Sequence, residues 1–282
     1  MPNFRRLKPT RLPPATMILR LCGSLCWLLC AAAFGQGGGS GFPTLDATQL
    51  RWLGDQVYRN ECNARPACLV AWNEGEDFPS LGIGHFIWYR QGQVAPFVET
   101  FPGLLTHLQQ AGVQLPDWLA AGTDQPWTDR LHFLAEQDSA RQRELRALLE
   151  QTRDLQTAYI VERFSRLQRD SAIFADRPAL AARLQHVAAD RIPYGLYALI
   201  DYVHFKGEGT SAAERYNGAG WGLVQVLEQM PADSKQPLDD FVASAKAVLS
   251  ARVANAPLER NEQRWLAGWH HRVETYLPST AR

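Results

Sequence analysis

A chain of 282 residues with 46% hydrophobic and 21% charged residues can bury one large core, and its composition excludes a disordered or fibrous protein. Its 29 basic and 29 acidic residues cancel, so no global basic field is present to hold nucleic acid by its phosphates. The balance is uneven: the first 35 residues hold five basic and no acidic residues, leaving 24 basic against 29 acidic beyond them, a formal charge of −5.

The basic section Arg5, Arg6, Lys8 and Arg11 precedes an apolar run from Met17 to Phe34 that only Arg20 interrupts, and Ala33-Phe34-Gly35 offers a small-x-small cleavage point. This pattern predicts a signal peptide over 1–35 and an exported chain, periplasmic or secreted. A membrane anchor is the competing reading, but it needs roughly 20 apolar residues and Arg20 shortens the run. A lipoprotein needs a small residue where Leu21, Leu25 and Leu29 precede Cys22, Cys26 and Cys30. Beyond the signal, Cys62 and Cys68 remain, an even number expected to form a disulfide in an exported chain. Residues 36–44, with the run Gly37-Gly38-Gly39-Ser40-Gly41, read as a flexible linker. Residues 45–279 show no repeat, charge block or low-complexity break and read as one domain.

Within it, Leu50, Leu53 and Val57 predict a helix over 45–58, and a short helix over 68–73 points its C-terminus at Glu74-Gly75. Leu81 to Tyr89, β-branched and aromatic, predicts a strand ending at the turn Arg90-Gln91-Gly92-Gln93. No later segment reads as a strand. Helices are predicted over 97–112, 128–137, 139–169 (one or two), 178–190, 194–205, 221–230, 238–253 and 258–276. The expected class is mainly α, an α+β arrangement with a small early β-hairpin.

The stretch Asn73-Glu74-Gly75-Glu76-Asp77-Phe78 packs three carboxylates in front of the predicted strand. A glycosidic bond is cleaved when a carboxylic acid protonates the leaving oxygen while a second group stabilises the sugar cation or activates a water. Glu74, with Trp72 before it and Phe78 close by, and Glu76, in the turn itself, are both candidates for that acid. The alternative is an ordinary solvated turn. After the helix over 194–205, Glu208 in Lys206-Gly207-Glu208-Gly209-Thr210 is a further candidate, set against a solvated glutamate in a glycine-rich loop.

Ser80-Leu81-Gly82-Ile83-Gly84-His85 after Glu74-Gly75 resembles the phage-type lysozymes, in which a helix ends in Glu-Gly and a hairpin leads into Thr-Ile-Gly-Ile-Gly-His. Leu199 to Thr210 resembles that family's central helix and the turn after it, Trp221 to Met230 its next helix, and Asn255 to Trp269 its Pro-x-x-Arg turn. These matches come in the family's order and cover about half of the chain beyond the expected signal peptide. The resemblance implies a lysozyme-like helical domain, Glu74 as general acid, Ser80 in place of the family's threonine, which positions the attacking water, and a structural His85 bordering the substrate. The family carries an aspartate in a longer hairpin. Here five residues separate Glu74 from Ser80 and only Asp77 is available, which favours the single-glutamate mechanism of lytic transglycosylases. Glu208 followed by Trp221-Gly222-Leu223-Val224-Gln225 is similar to a transglycosylase pattern, with Gln225 and Tyr216 lining the sugar site. The two segments are also readable as two walls of one cleft.

Sugar rings stack on aromatic faces. Trp88 and Tyr89 alternate across the predicted strand, leaving one, taken as Tyr89, for substrate, with Trp221 as the other candidate. Trp265, Trp269, Val273 and Tyr276 fall at helical spacing and read as a buried stripe. The seven histidines show no metal spacing, and neither a phosphate loop nor a nucleophile elbow is present, so no metal and no cofactor are expected. Residues 97–190, least like the family, read as a helical insertion that narrows the cleft or binds a cell-envelope partner. The expected function is cleavage of the β-1,4 glycan strands of peptidoglycan, as a muramidase or a lytic transglycosylase. The competing readings are a non-catalytic peptidoglycan-binding or envelope-assembly protein and an enzyme acting on chitin or chitosan.

Overall fold

Helix α1 (Ala47–Cys62) opens the domain in a computed structural model that describes residues 41–93, 97–120 and 124–279. The expected signal peptide and residues 36–40 of the expected linker lie outside the described residues. A capping box starts α1: Gln49 N donates to Asp46 Oδ1 at 2.8 Å and Asp46 N to Gln49 Oε1 at 3.0 Å. The helix runs to Cys62, four residues beyond the expected end at Tyr58, and Asn63, left-handed at φ 49°, caps it. Asn60 and Glu61, polar and outside the apolar repeat, therefore ride on its last turn.

The helix expected over 68–73 is absent. Pro66–Leu69 makes one 3₁₀ turn and Val70–Ala71 is strand β1, in antiparallel register with β2 (Ser80–Leu81). Strand β3 (Phe86–Ile87) pairs with β2 on its other edge. The single strand expected over 81–89 is thus two strands around a tight turn, with Gly82 at φ 67° and His85 at φ 47°. The turn is held from outside: Ile83 N donates to Oε1 of the buried Gln156 at 2.9 Å, and a Cβ on Gly82 would lie 2.4 Å from that oxygen. Trp88 and Tyr89 do not alternate. The chain leaves the sheet after β3, and both rings are buried, Trp88 against Phe101 and Trp127, Tyr89 against Phe78.

Among the described residues of the 97–190 section, seven helices follow: α2 (Phe101–Gln110), α3 (Asp117–Ala120), α4 (Arg130–Ala135), α5 (Ala140–Gln151), α6 (Arg153–Asp170), α7 (Ala172–Ala175) and α8 (Pro178–Ala189). Helix α6 packs against α1, and Gly54 permits the close approach, because a Cβ there would lie 2.2 Å from Thr157 Oγ1. Helix α9 (Tyr194–Lys206) is buried from Gly195 through Tyr202 and packs against α1, α6, α8, α10 (Leu223–Gln229) and α11 (Pro237–Asn255). A helix apolar on all sides belongs at the centre of a helical core.

Contrary to expectation, two more strands occur, β4 (Arg215–Tyr216) and β5 (Ala219–Gly220), joined by Asn217 and Gly218 at φ 50° and 81°. Asn-Gly with both residues at positive φ is the tight hairpin turn that matches strand twist. Helix α12 (Gln263–Glu274) lies on α11 and closes the domain. Val273 and Tyr276 are fully buried, whereas Trp265 is 40% exposed, so the expected buried stripe begins only at Trp269. The class is the expected one, mainly α with a small antiparallel sheet early in the chain, and the described residues fall in one compact unit. No helix among them is long and apolar enough to cross a membrane.

Candidate active site

The last turn of α1 is fastened to α9 and α12 by polar groups. Asp201, buried on α9, accepts from Arg272 Nε and Nη2 at 2.9 and 2.8 Å, from Tyr276 OH at 2.6 Å and from Asn60 Nδ2 at 3.0 Å. A buried carboxylate is tolerated when its lone pairs are filled in this way. Arg272 Nη2 also donates to Glu61 Oε1 at 2.6 Å, so Asp201 and Glu61 share one guanidinium. Burial alone would lower the Arg272 pKa, but the bonds to Asp201 and the charge of Glu61 raise it, and the cation is permanent.

The second Glu61 oxygen faces the hairpin. Glu61 Oε2 lies 3.4 Å from His85 Nδ1 at the turn between β2 and β3. His85 Nε2 lies 3.4 Å from Cys68 Sγ and 4.0 Å from Cys62 Sγ. The two sulfurs are at bonding distance, 2.19 Å, so α1 is stapled to the turn before β1. Burial lowers the pKa of His85; Glu61 and Glu76 oppose that shift, and His204 near the end of α9 adds to it. The imidazole thus lies within electrostatic reach of one carboxylate from α1 and one from the hairpin.

In the preceding hairpin, between β1 and β2, Glu74 and Asp77 are exposed and Glu76 is half-buried. Glu76 is pinned: its Oε2 accepts from Asn73 Nδ2 at 3.1 Å and from Ser80 Oγ at 3.3 Å, and its carbonyl accepts from Trp72 Nε1 at 2.7 Å. Ser80 is buried in β2, opposite both Ala71 and Ile87. Glu74 therefore ends no helix and belongs to the exposed tip of a hairpin. The structure brings Glu76, Ser80 and His85 together with Glu61, a residue that apolar periodicity passed over. The left-handed Asn63 immediately past Cys62 was the available signal, since asparagine there is a common helix stop.

Glu208, Tyr216, Trp221 and Gln225 lie together around the loop after α9, and Tyr89 lies apart from them against Phe78. Glu208, just past α9, is half-buried, and its pKa is raised by burial and then by Glu214, with Arg163 opposing. Glu61, Glu74 and Glu76 are not among the groups acting on it. Gln225 ties the loop internally, accepting from Gly222 N at 3.0 Å and donating to the Gly209 carbonyl at 3.1 Å. Tyr216 OH donates to Glu262 Oε1 at 2.9 Å, and its ring packs on the buried Trp221. Tyr89 is buried with its hydroxyl donating to the Phe97 carbonyl at 3.2 Å. Gln225, Tyr216 and Tyr89 thus have partners within the protein.

Cys62, Cys68 and His85 are a group among the described residues whose ligand atoms lie within 4.8 Å of one another. Sulfurs bonded to each other are not thiolates, so the set as it stands lacks the donors a soft metal takes. No protein-family model, no curated protein and no solved structure matches the chain.

Proposed function

We propose that this protein is an exported glycan-cleaving enzyme of the lysozyme type, acting on the β-1,4 strands of peptidoglycan with Glu61 as its general acid. The observation that carries the reading is the meeting of Glu61, from the last turn of α1, with the three-stranded sheet, where Glu76 and Ser80 are hydrogen-bonded to each other and His85 lies 3.4 Å from Glu61. The family resemblance calls for a helix ending in glutamate, then a long hairpin with a carboxylate, then a hydroxyl residue before Gly-x-Gly-His. Moving the acid from Glu74 to Glu61 supplies each part in order and removes the short hairpin that the resemblance otherwise required.

In this reading Glu61 protonates the leaving glycosidic oxygen, a contribution of roughly 10²–10⁴-fold. Glu76 and Ser80 hold the water that attacks the sugar from the other side, as a carboxylate pair separated by roughly 6.5–9.5 Å does in inverting enzymes. Arg272 orients Glu61, and Asp201 holds the same guanidinium in place. Glu208 supports a second assignment: a half-buried carboxyl with a raised pKa suits a single acid that closes an anhydro ring without water.

Mass spectrometry of products from purified sacculi tests both assignments. Reducing-end sugars that disappear in Glu61→Gln and Ser80→Ala fit the hydrolase; 1,6-anhydro ends that disappear in Glu208→Gln fit the transglycosylase. Binding without soluble products would replace both with a non-catalytic envelope role.

A further inference from the structure

Lys206, the last residue of α9, is 8% exposed, and its Nζ donates no hydrogen bond among the described residues. It lies 3.9 Å from the ring centroid of Phe205 and 3.3 Å from that of Trp269. Aromatic faces hold an ammonium group by charge and quadrupole but cannot fill its three donor positions. The charged groups acting on it are Arg252, Glu262 and Arg272. The one carboxylate is already engaged: Glu262, fully buried, accepts from Arg252 Nε and Nη2 at 2.8 and 2.9 Å and from Tyr216 OH at 2.9 Å. Burial and the two arginines, against Glu262, bring the Lys206 pKa down to about 7. The amine nitrogen is not one of the fully enclosed, unpartnered side-chain atoms among the described residues, so its donors have no acceptor in the protein yet open to solvent at the end of an otherwise buried side chain, where methionine would pack as well without the charge.

The position relates the amine to the candidate acid. The Phe205 ring that carries Lys206 also carries the Arg272 guanidinium, 4.5 Å from its centroid, and Arg272 holds Glu61 at 2.6 Å. One residue before Phe205, His204 acts on His85. Lys206 therefore stands one aromatic ring away from the group that fixes Glu61.

We propose that Lys206 is a carboxylate-binding residue beside the candidate active site, and that the carboxylate it takes is borne on a sugar of the glycan strand, as in a sugar carrying a lactyl ether. The second half rests on the glycan-cleaving reading; the first stands on the geometry of the amine. A bound carboxylate supplies the missing acceptor and favours the ammonium form. Affinity is therefore greatest below the pKa of the free amine, about 7, and falls as the pH rises above it until the raised pKa of the complex is passed. Neutral N-acetylated glycans gain nothing from the group, so Lys206 would separate acidic strands from chitin-like ones.

The chain has four lysines, Lys8, Lys206, Lys235 and Lys246, so the full protein labelled with ¹³C at lysine Cε gives few signals, and Lys206→Met identifies one of them. That signal is titrated with pH in acetate, N-acetylmuramic acid and N-acetylglucosamine. The expected result is a saturable response to both acids, raising the Lys206 midpoint by about one pH unit, a tenfold coupling, with none to the neutral sugar. A Lys206 signal that ignores both acids overturns the site. A response to acetate but not to N-acetylmuramic acid overturns the assignment of the carboxylate to a sugar. Sacculus digestion read alongside keeps the two ideas apart: response to both acids without product release supports the carboxylate site and removes the glycan-cleaving reading. With both present, Lys206→Met is expected to weaken binding to sacculi about tenfold, while its binding to chitin oligomers stays that of the parent.

Discussion

Two glutamates, one in the last turn of α1 and one just past α9, have surroundings that differ in kind. Glu61, on the last turn of α1, is held by Arg272 and touches His85, beside a second carboxylate and a hydroxyl from the hairpin. Glu208, just after α9, accepts no side-chain hydrogen bond among the described residues, and its pKa is raised by burial. A raised pKa records how poorly a charge is solvated. A glycosidase site needs in addition a partner group on the far side of the bond, and that condition singles out Glu61.

The sharpest way to break the contrast is to neutralise each acid in turn. Glu61→Gln is expected to cut product release from sacculi by roughly 10²–10⁴-fold, whereas Glu208→Gln keeps the parent rate; a deeper loss at Glu208 would exchange the roles. Asp201→Ala tests the fastening behind Glu61. It leaves Arg272 without its main partner, and a cost of about 3–5 kcal/mol is expected in denaturant unfolding. A much smaller cost would mean that the network does not hold α1 in place. Replacing Cys62 and Cys68 together by serine removes the staple between α1 and the hairpin, worth about 2–3 kcal/mol for so short a loop, read as a lower melting temperature.

A subtler effect comes from His85. Burial lowers its pKa despite Glu61 and Glu76, with His204 adding to the shift, so in acid the unfolded chain binds this proton before the folded one. Folded-state stability is then lost as pH falls below about 6.5, the ordinary imidazole value. His85→Asn, which tolerates the left-handed backbone, should flatten that part of the melting-temperature profile; an unchanged slope would place the titrating group elsewhere. The smallest effect is expected at the exposed hairpin tip, where Glu74→Gln should leave melting and product release as in the parent.

Most helices are legible because apolar spacing reports burial directly: the segments predicted over 178–190, 194–205 and 238–253 match α8, α9 and α11 to within two residues. Errors cluster where partners distant in sequence decide the outcome. The apolar repeat of α1 predicts an end at Tyr58, whereas Asn60 and Glu61 are held in its last turn by Asp201 and Arg272, far along the chain. The run after Ser80 looked like one strand because nothing local announces that Gln156 will satisfy an amide in its middle. The β4–β5 hairpin is a different kind of miss. Asn217-Gly218 is a strong local turn signal, but flanking strands of two residues leave no alternation for a sequence to display. Glu76 and Ser80 were legible as candidates, but their companion was not, since a site assembled from a helix end and a hairpin has no single sequence window.

The Cys62–Cys68 bond also makes the connection between the candidate acid and the hairpin redundant. The segment between the two cysteines contains Asn63 and Ala64, both exposed and at positive φ, 49° and 53°, the kind of accessible turn at which proteases cut. A cut there would leave two polypeptides that remain joined through sulfur, with Glu61 on one and Ser80 on the other. The severed protein would run as one chain until a thiol reductant is added and as two afterwards. This loop is accordingly a position at which the chain can be reopened or lengthened without parting the two halves of the site.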